Sequence, residues 1–110
     1  MESPPVIANL EKLLAQGKES SLLRFSLGNE YLKDRQIWVA IFHLKRALDL
    51  DPNYSAAWKL LATAYTDAGV LNEALSTYRQ GIQIAQQRGD QQAAREMSVF
   101  ALRLEKKLAS

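Results

Sequence analysis

The stretch NYSAAWKLLATAY, residues 53–65, carries its large apolar side chains at a helical spacing. Trp58, Leu61 and Tyr65 follow one another at intervals of three and four residues, which brings side chains to the same side of an α-helix. The small Ala62 lies next to Leu61 and leaves room for a neighbouring helix to approach closely. The stretch therefore predicts an amphipathic helix that packs against other helices.

A similar pattern stands 34 residues earlier, in RFSLGNEY, residues 24–31. When residues 21–54 are aligned with residues 55–88, the agreement is confined to spaced apolar and small positions, and the polar positions differ freely. The identical pairs are Ser21/Ser55, Leu27/Leu61, Tyr31/Tyr65 and Ala40/Ala74. Two copies of one packing unit with different surfaces produce this pattern, because a two-helix hairpin cannot bury its apolar stripe alone and has to stack.

The composition is that of one small globular domain. Hydrophobic residues make up 47% of the 110 residues and charged residues 24%, a balance that argues against disorder. The net charge is only +2 and the chain has no Cys, so neither a nucleic-acid surface nor a thiolate metal site is indicated. The first residues show no export signal or membrane span, and we expect a cytoplasmic protein without membrane contact.

Helical periodicity covers almost everything after Pro5 and predicts about six helices without strands. Breaks between helices are expected at glycines and at Pro52, and Asp90 is expected to cap the last helix. Asn53 is expected to cap the helix that follows the turn DPNY. The last helix begins two residues later than a strict period of 34 requires, so the helix before it is expected to be longer than usual.

These residues resemble the pattern of the tetratricopeptide repeat, a 34-residue helical hairpin. The second unit matches it at Trp58, Leu61, Ala62, Tyr65, Ala74 and Tyr78, with Gly81 in the place of a later Ala. The first unit matches it at Leu27, Gly28, Tyr31, Ala40, Ala47 and Pro52. The departures are Arg24 for the family's Trp, Leu44 for its Phe and Gln86 for its Pro.

The resemblance implies an all-α, right-handed superhelical stack of antiparallel helical hairpins. Within a single domain, we expect a capping helix or half repeat at 1–20, one repeat at 21–54, a second at 55–88 and a closing helix at 89–110. Gly28 and Ala62 are expected where the two helices of a hairpin approach closely, with Ala40 and Ala74 opposite them. Tyr31, Trp58 and Tyr65 are expected to fill the gaps between hairpins.

In this family the first helix of each hairpin lines a concave face that holds a peptide or helix of another protein. The resemblance therefore implies a non-catalytic protein-interaction module, an adaptor, scaffold or assembly factor. Carried over by position, the candidate groove residues are Phe25, Asn29, Leu32, Lys33, Lys59, Thr63, Thr66, Arg95, Val99 and Leu102. Their mixed apolar and basic character predicts a ligand with an apolar anchor and nearby acidic residues. Alternatively, Val99 and Leu102 are scattered surface apolar residues.

Some family members hold a C-terminal carboxylate with a set of Lys, Asn and Arg side chains on the concave face. Asn29 stands at a matching place, but Phe25 replaces a lysine of that set. Gln92 and Glu96 stand where further basic residues are expected. The sequence therefore gives no indication that this chain recognises the tails of heat-shock chaperones.

No set of residues suggests catalysis, a cofactor or a small-molecule substrate. His43 is the single histidine, and the pattern favours a hydrogen-bonded surface or boundary residue over a metal ligand. No nucleophile and base stand at a shared spacing. The last helix is locally basic, but its two glutamates favour a solvated helix end over a nucleic-acid surface.

The outer face of the third helix breaks the repeat pattern. Trp38 and Phe42 are four residues apart and lie side by side on a helix, whereas the second unit has Asn72 and Ser76 at these places. Either the first helix covers the two aromatic rings, or they contact another molecule. The alternative to a peptide-binding module is therefore a self-association module that dimerises through Trp38 and Phe42, and we expect a monomer or a weak homodimer.

Overall fold

The computed structural model describes residues 4–110, so the first three residues of the expected capping segment 1–20 lie outside it. The described chain is all-α, as the sequence predicts. Its six helices are α1 Pro5–Ala15, α2 Ser21–Lys33, α3 Ile37–Leu50, α4 Ser55–Asp67, α5 Leu71–Gln87 and α6 Gln91–Ala109. With 17 residues, α5 exceeds the 14 of α3, which accommodates the two-residue shift of the last helix. No helix in the part described is long and apolar enough to cross a membrane.

The helix starts follow local capping chemistry, with one difference from the expectation. The side chain of Asp90 accepts a hydrogen bond from the backbone N–H of Ala93 at 3.1 Å, as predicted for the start of α6. Ser20 plays the same part for α2. The assignment of Asn53 as a cap is wrong. Its own N–H donates to Asp51 Oδ1 at 3.1 Å within the turn, and α4 begins after Tyr54 without a side-chain cap.

The ends of α2 and α4 differ in one residue that bears on stability. Gly69 follows α4 with φ +81°, a left-handed conformation that glycine adopts freely. At the corresponding place after α2 stands Arg35 with φ +62°. A side chain at such a φ is strained, because its Cβ approaches the following carbonyl oxygen.

Consecutive helices pack as antiparallel hairpins around two neighbouring clusters of buried residues, one in α3 and α4 and the other mainly in α5 and α6. α2 also contacts α4, and α4 contacts α6, so these three helices lie side by side along one surface. Trp58 and Tyr65, both half-buried, pack against the buried residues of α3–α4 and against those of α5–α6. Tyr31 instead stacks on His43 of its own hairpin. The first two side chains thus join the hairpins as expected. Tyr31 also donates a hydrogen bond from its hydroxyl to Oε1 of Glu11 at 3.2 Å, so it connects its hairpin with α1.

The helices of the first hairpin meet at Gly28. A Cβ atom built on this residue would lie 2.5 Å from Cγ of Leu44 on α3, a distance that real Cβ atoms do not reach. The residue that faces Gly28 most closely is thus Leu44 and not Ala40 as expected, although Ala40 and Ala74 are both fully buried. The small residue lets α2 and α3 approach closely.

Candidate peptide-binding face

The surface shared by α2, α4 and α6 carries a shallow depression between the first two of these helices. Its volume is about 240 Å³. The lining residues are Phe25, Asn29, Ala56, Lys59, Leu60 and Thr63. Four of the ten candidate groove residues from the sequence, Phe25, Asn29, Lys59 and Thr63, are thus brought together.

Aromatic stacking fixes one end of this depression. The ring of Phe25 packs on the ring of Tyr54, with centroids 4.9 Å apart and an interplanar angle of 29°. Burial raises the pKa of the Tyr54 phenol, and the nearby Asp51 carboxylate raises it further. Tyr54 is a site residue that the sequence reasoning missed, because it stands in the turn and not on a helix. The only signal in the sequence was an aromatic residue at the end of the otherwise polar turn DPNY.

An ion pair connects α4 with α6 across the same surface. Nζ of Lys59 lies 3.0 Å from Oε1 of Glu96. Both side chains remain partly exposed, so solvent screens the pair strongly. The positive charge that the sequence predicts at Lys59 is therefore shared with a carboxylate of the protein itself.

A second aromatic contact joins α5 to α6. Phe100 stacks on Tyr78 with a centroid distance of 5.7 Å, and the guanidinium of Arg103 lies 5.6 Å from the centre of the Phe100 ring. The hydroxyl groups of Tyr78 and Thr63 are within hydrogen-bonding distance, 3.1 Å. Sequence reasoning missed Phe100, because the residue falls outside the positions that the family pattern assigns to the groove.

The remaining candidate residues lie apart from the depression. Lys33 pairs with Glu30 at 3.2 Å on the solvent side of α2, and the Thr66 hydroxyl donates to the backbone carbonyl of Ala62. Leu32 packs against the core of α3 and α4. The candidates on α6 are all exposed: Arg95, Val99 and Leu102.

A larger open cleft of about 470 Å³ continues from the depression through Tyr54 and Ala56. It lies between the turn before α4 and the turn before α6, and Asp51, Arg88 and Asp90 contribute its charged groups. Arg88 Nη1 donates to the backbone carbonyl of Asn53 at 2.6 Å. The depression and the cleft together form one surface that carries apolar, amide, acidic and basic groups.

The outer face of α3 leaves the two aromatic residues singled out in the sequence uncovered. Trp38 is 60% exposed and Phe42 is 62% exposed. The explanation that the first helix covers them is therefore wrong. α1 packs along α2 instead. The guanidinium of Arg24 lies 5.8 Å from the ring centre of Phe42, and the ring of His43 meets it edge-on.

His43 itself is buried and not a surface residue, with 6% of its area exposed. Nδ1 lies 3.0 Å from Nη1 of Arg24, and Nε2 lies 3.5 Å from Oε1 of Glu11. Burial lowers the pKa of the imidazole, the charge of Glu11 opposes this shift, and Arg24 adds to it. Within residues 4–110, no group of three His, Cys, Asp or Glu side chains could hold a metal ion.

The chain is a stack of helical hairpins, and the first helix of each hairpin contributes to one shared surface. This arrangement defines a helical-repeat protein. Comparison with protein families matches residues 31–97 to the tetratricopeptide repeat. The TPR repeat-containing protein PA0015 of Pseudomonas aeruginosa is 45% identical over 101 residues, which cover 92% of this chain and 96% of that protein. The chain belongs to the tetratricopeptide-repeat family.

Two solved structures extend the comparison. The solution structure of protein BPP2914 from Bordetella parapertussis is 41% identical, with a TM-score of 0.84, and the match covers 94% of this chain and 90% of that one. The TPR2B domain of yeast Sti1, solved in complex with pHsp70, also has a TM-score of 0.84 and covers 92% of this chain and 81% of that one. Its identity is only 18%, so it supports the fold alone.

Proposed function

We propose that this protein is a non-catalytic adaptor or assembly factor that binds an extended peptide or a helix of another protein along α2, α4 and α6. The observation that carries the proposal is the depression in which two hairpins combine an aromatic ring, an amide and an ammonium group. The tetratricopeptide repeat is in general a fold for protein interaction, and one structural neighbour is solved in complex with pHsp70. The proposal includes no cofactor and no small-molecule substrate.

The chemistry of the depression specifies the kind of peptide. The ring of Phe25 and the side chain of Leu60 offer apolar contact to one anchoring side chain. Asn29 makes no side-chain hydrogen bond to another residue of the described chain, so its amide is available to a peptide backbone. Lys59 in the depression favours an acidic residue beside the anchor, and Arg95, which is exposed on α6 outside the depression, favours further acidic residues in the same peptide. We place this binding in the cytoplasm, as the sequence predicts.

A selection experiment tests the proposal. Random peptides displayed on phage are selected against the purified protein, and their binding is compared with the double variant Phe25→Ala/Lys59→Ala. We expect the selected peptides to bind the parent protein and to lose most of their affinity for the double variant, while circular dichroism shows that the variant is still folded at the assay temperature. Leu50→Ala/Lys45→Ala is the matched control, because it removes an exposed leucine and an exposed lysine from α3. Peptides that bind the groove variant as tightly as this control would show that the site lies elsewhere.

The exposed pair Trp38 and Phe42 favours a second candidate function, self-association through the outer face of α3. Burial of such rings stabilises an interface by about 1.5–3 kcal/mol each, and aromatic residues are enriched at interfaces. Trp38→Asn/Phe42→Ser copies the polar residues of the other hairpin. Self-association through this face requires that the variant remains folded and sediments as a monomer at concentrations where the parent dimerises. A parent protein whose sedimentation is unchanged by the double substitution would argue against this interface.

A further inference from the structure

One face of α1 is uncovered although it is apolar. Val6 is 43% exposed and Leu13 is 37% exposed, while Leu10 between them is half-buried. Shifted by 34 residues, these three correspond to Ala40, Leu44 and Ala47 of α3, all of which are fully buried. The same positions of α5 are the buried Ala74, Tyr78 and Gly81.

The exposure of α1 is selective. Ile7, which corresponds to Ile41, is 1% exposed and packs inward like its counterpart. In α3 the corresponding face is covered by α2, where Gly28 meets Leu44. In α1 this face is uncovered. α1 therefore has the surface of the second helix of a hairpin, and no helix among residues 4–110 takes the place of the first.

The opposite end of the stack has the complementary surface. With the two-residue shift, Ser98 of α6 corresponds to Gly28 of α2, the small residue that faces a second helix. Ser98 is exposed, and Leu102 and Val99 beside it are 53% and 50% exposed. α6 thus has the surface of a first helix, and no second helix in the described part of the chain covers it.

We propose that copies of this protein associate head to tail, with α6 of one copy packed antiparallel against α1 of the next to complete a hairpin. In the first hairpin Gly28 meets Leu44, and the same geometry brings Ser98 of one copy to Leu10 of the other. By the same register Leu102 meets Val6. At these two places a small and an apolar residue face apolar residues, as in a helix pair within the chain, and the side chain of Arg95 faces Leu13 at the end of the contact.

The second copy is the occupant because each copy carries both halves of the incomplete hairpin. The first helices of the hairpins, α2, α4 and α6, lie side by side, because α2 contacts α4 and α4 contacts α6. Continuation of this arrangement places α6 of one copy beside α2 of the next, where Leu22 is 63% exposed. The contact between two copies thus covers the large exposed apolar residues at both ends of the stack. The contact is heterologous, so it leads to longer arrays as the concentration rises.

Sedimentation velocity on the 110-residue protein tests the proposal. Leu13→Lys alters only the α1 face and places a cation opposite Arg95, and Leu102→Lys alters only the α6 face. Val6→Lys is a second variant of the α1 face, and circular dichroism melting verifies that each variant folds. Leu50→Lys is the matched control, because Leu50 is similarly exposed, 42%, but belongs to neither end.

We expect the parent and the control to sediment faster with rising concentration, and each end variant alone to remain monomeric. An equimolar mixture of the α1 variant and the α6 variant should form a one-to-one pair and nothing larger, because one intact face remains on each. The proposal is overturned if the parent stays monomeric up to its solubility limit, or if the mixture stays monomeric while the parent associates. It is also overturned if Trp38→Asn/Phe42→Ser abolishes association and the end variants do not.

Discussion

Arg24 of α2 donates a hydrogen bond from Nη1 to Nδ1 of His43 on α3 across 3.0 Å. Since a guanidinium has no acceptor, Nδ1 must accept, and the ring proton of the neutral imidazole stands on Nε2, which faces Glu11. Tyr31 stacks on the ring with centroids 5.4 Å apart. Groups from α1 and α2 thus enclose a neutral histidine of α3 and connect three helices.

This arrangement predicts a loss of stability at mildly acidic pH. The pKa of His43 is lowered from its ordinary 6.5, mainly by burial, so below pH 6.5 the unfolded chain takes up a proton that the folded chain does not. The stability present above pH 6.5 is therefore lost as the pH falls towards the folded pKa. We expect a lower free energy of unfolding in urea at pH 5.5 than at pH 7.5.

The variant His43→Gln tests whether His43 causes this loss of stability. It keeps a hydrogen-bond acceptor for Arg24, and the free energy of unfolding should then be nearly the same at the two pH values. Glu19 does not contribute in this window. Hydrogen bonds from Arg46 and Arg24 lower the pKa of its carboxyl to about 2, so it stays ionised throughout. An equally steep pH dependence in His43→Gln would mean that another group is responsible.

The close approach at Gly28 predicts an energetic coupling with Leu44. Gly28→Ala should destabilise the protein by about 1–3 kcal/mol, because the added Cβ collides with Cγ of Leu44. In the background Leu44→Ala, which lacks that atom, the same substitution should cost far less, since Ala also favours a helix over Gly by about 1 kcal/mol. Urea unfolding of the four proteins in this cycle measures the coupling. Additive effects would show that the two helices do not meet as described.

The backbone conformation of Arg35 predicts that a glycine at this position stabilises the protein. Its φ of +62° is one that glycine adopts without strain, and the second hairpin has Gly69 at this place. The ion pair of Arg35 with Asp67 is 3.6 Å long and mostly exposed, so its loss matters little. We expect Arg35→Gly to raise the free energy of unfolding by about 1 kcal/mol. Asp34→Gly, one residue earlier, is the control and should not stabilise the protein.

The 34-residue spacing of residues such as Leu27 and Leu61 was enough to predict the fold, because helix packing depends on spaced apolar and small side chains. The extra length of α5 followed from the same pattern. Local details were harder. The assignment of Asn53 as a helix cap was wrong, because its backbone N–H donates to Asp51 within the turn. The burial of His43 depends on Arg24 and Glu11, which come from other helices.

The candidate site was predictable in part for a similar reason. Phe25 and Lys59 follow from their helix positions, because the repeat sets which side of each first helix faces outward. The contact of Phe100 with Tyr78 depends on how the shifted helix α6 lies against α5. The pairing of Lys59 with Glu96 likewise joins residues 37 positions apart. Neither contact has a local signal in the sequence.

The ion pair of Lys59 with Glu96 leads to the last prediction, which concerns ligand binding. If acidic peptides bind beside Lys59, Glu96 competes with them for the ammonium group at 3.0 Å. Glu96→Gln should therefore tighten the binding of an acidic peptide selected as described above. Because exposed ion pairs contribute at most about 1 kcal/mol, we expect a gain of roughly two- to fivefold. Isothermal titration calorimetry at low salt measures it, and the gain should shrink at 1 M salt.

Glu105→Gln is the matched control for this measurement. It makes the same change in net charge on the same helix, but Glu105 pairs with Arg79, 3.4 Å away on the adjacent helix α5. If the pairing at Lys59 matters, Glu96→Gln tightens binding clearly more than Glu105→Gln does. Equal gains in the two variants would mean that only the overall charge attracts the peptide. Weaker binding in Glu96→Gln would mean that Glu96 itself contacts the ligand, and the acidic character assigned to the peptide would then be wrong.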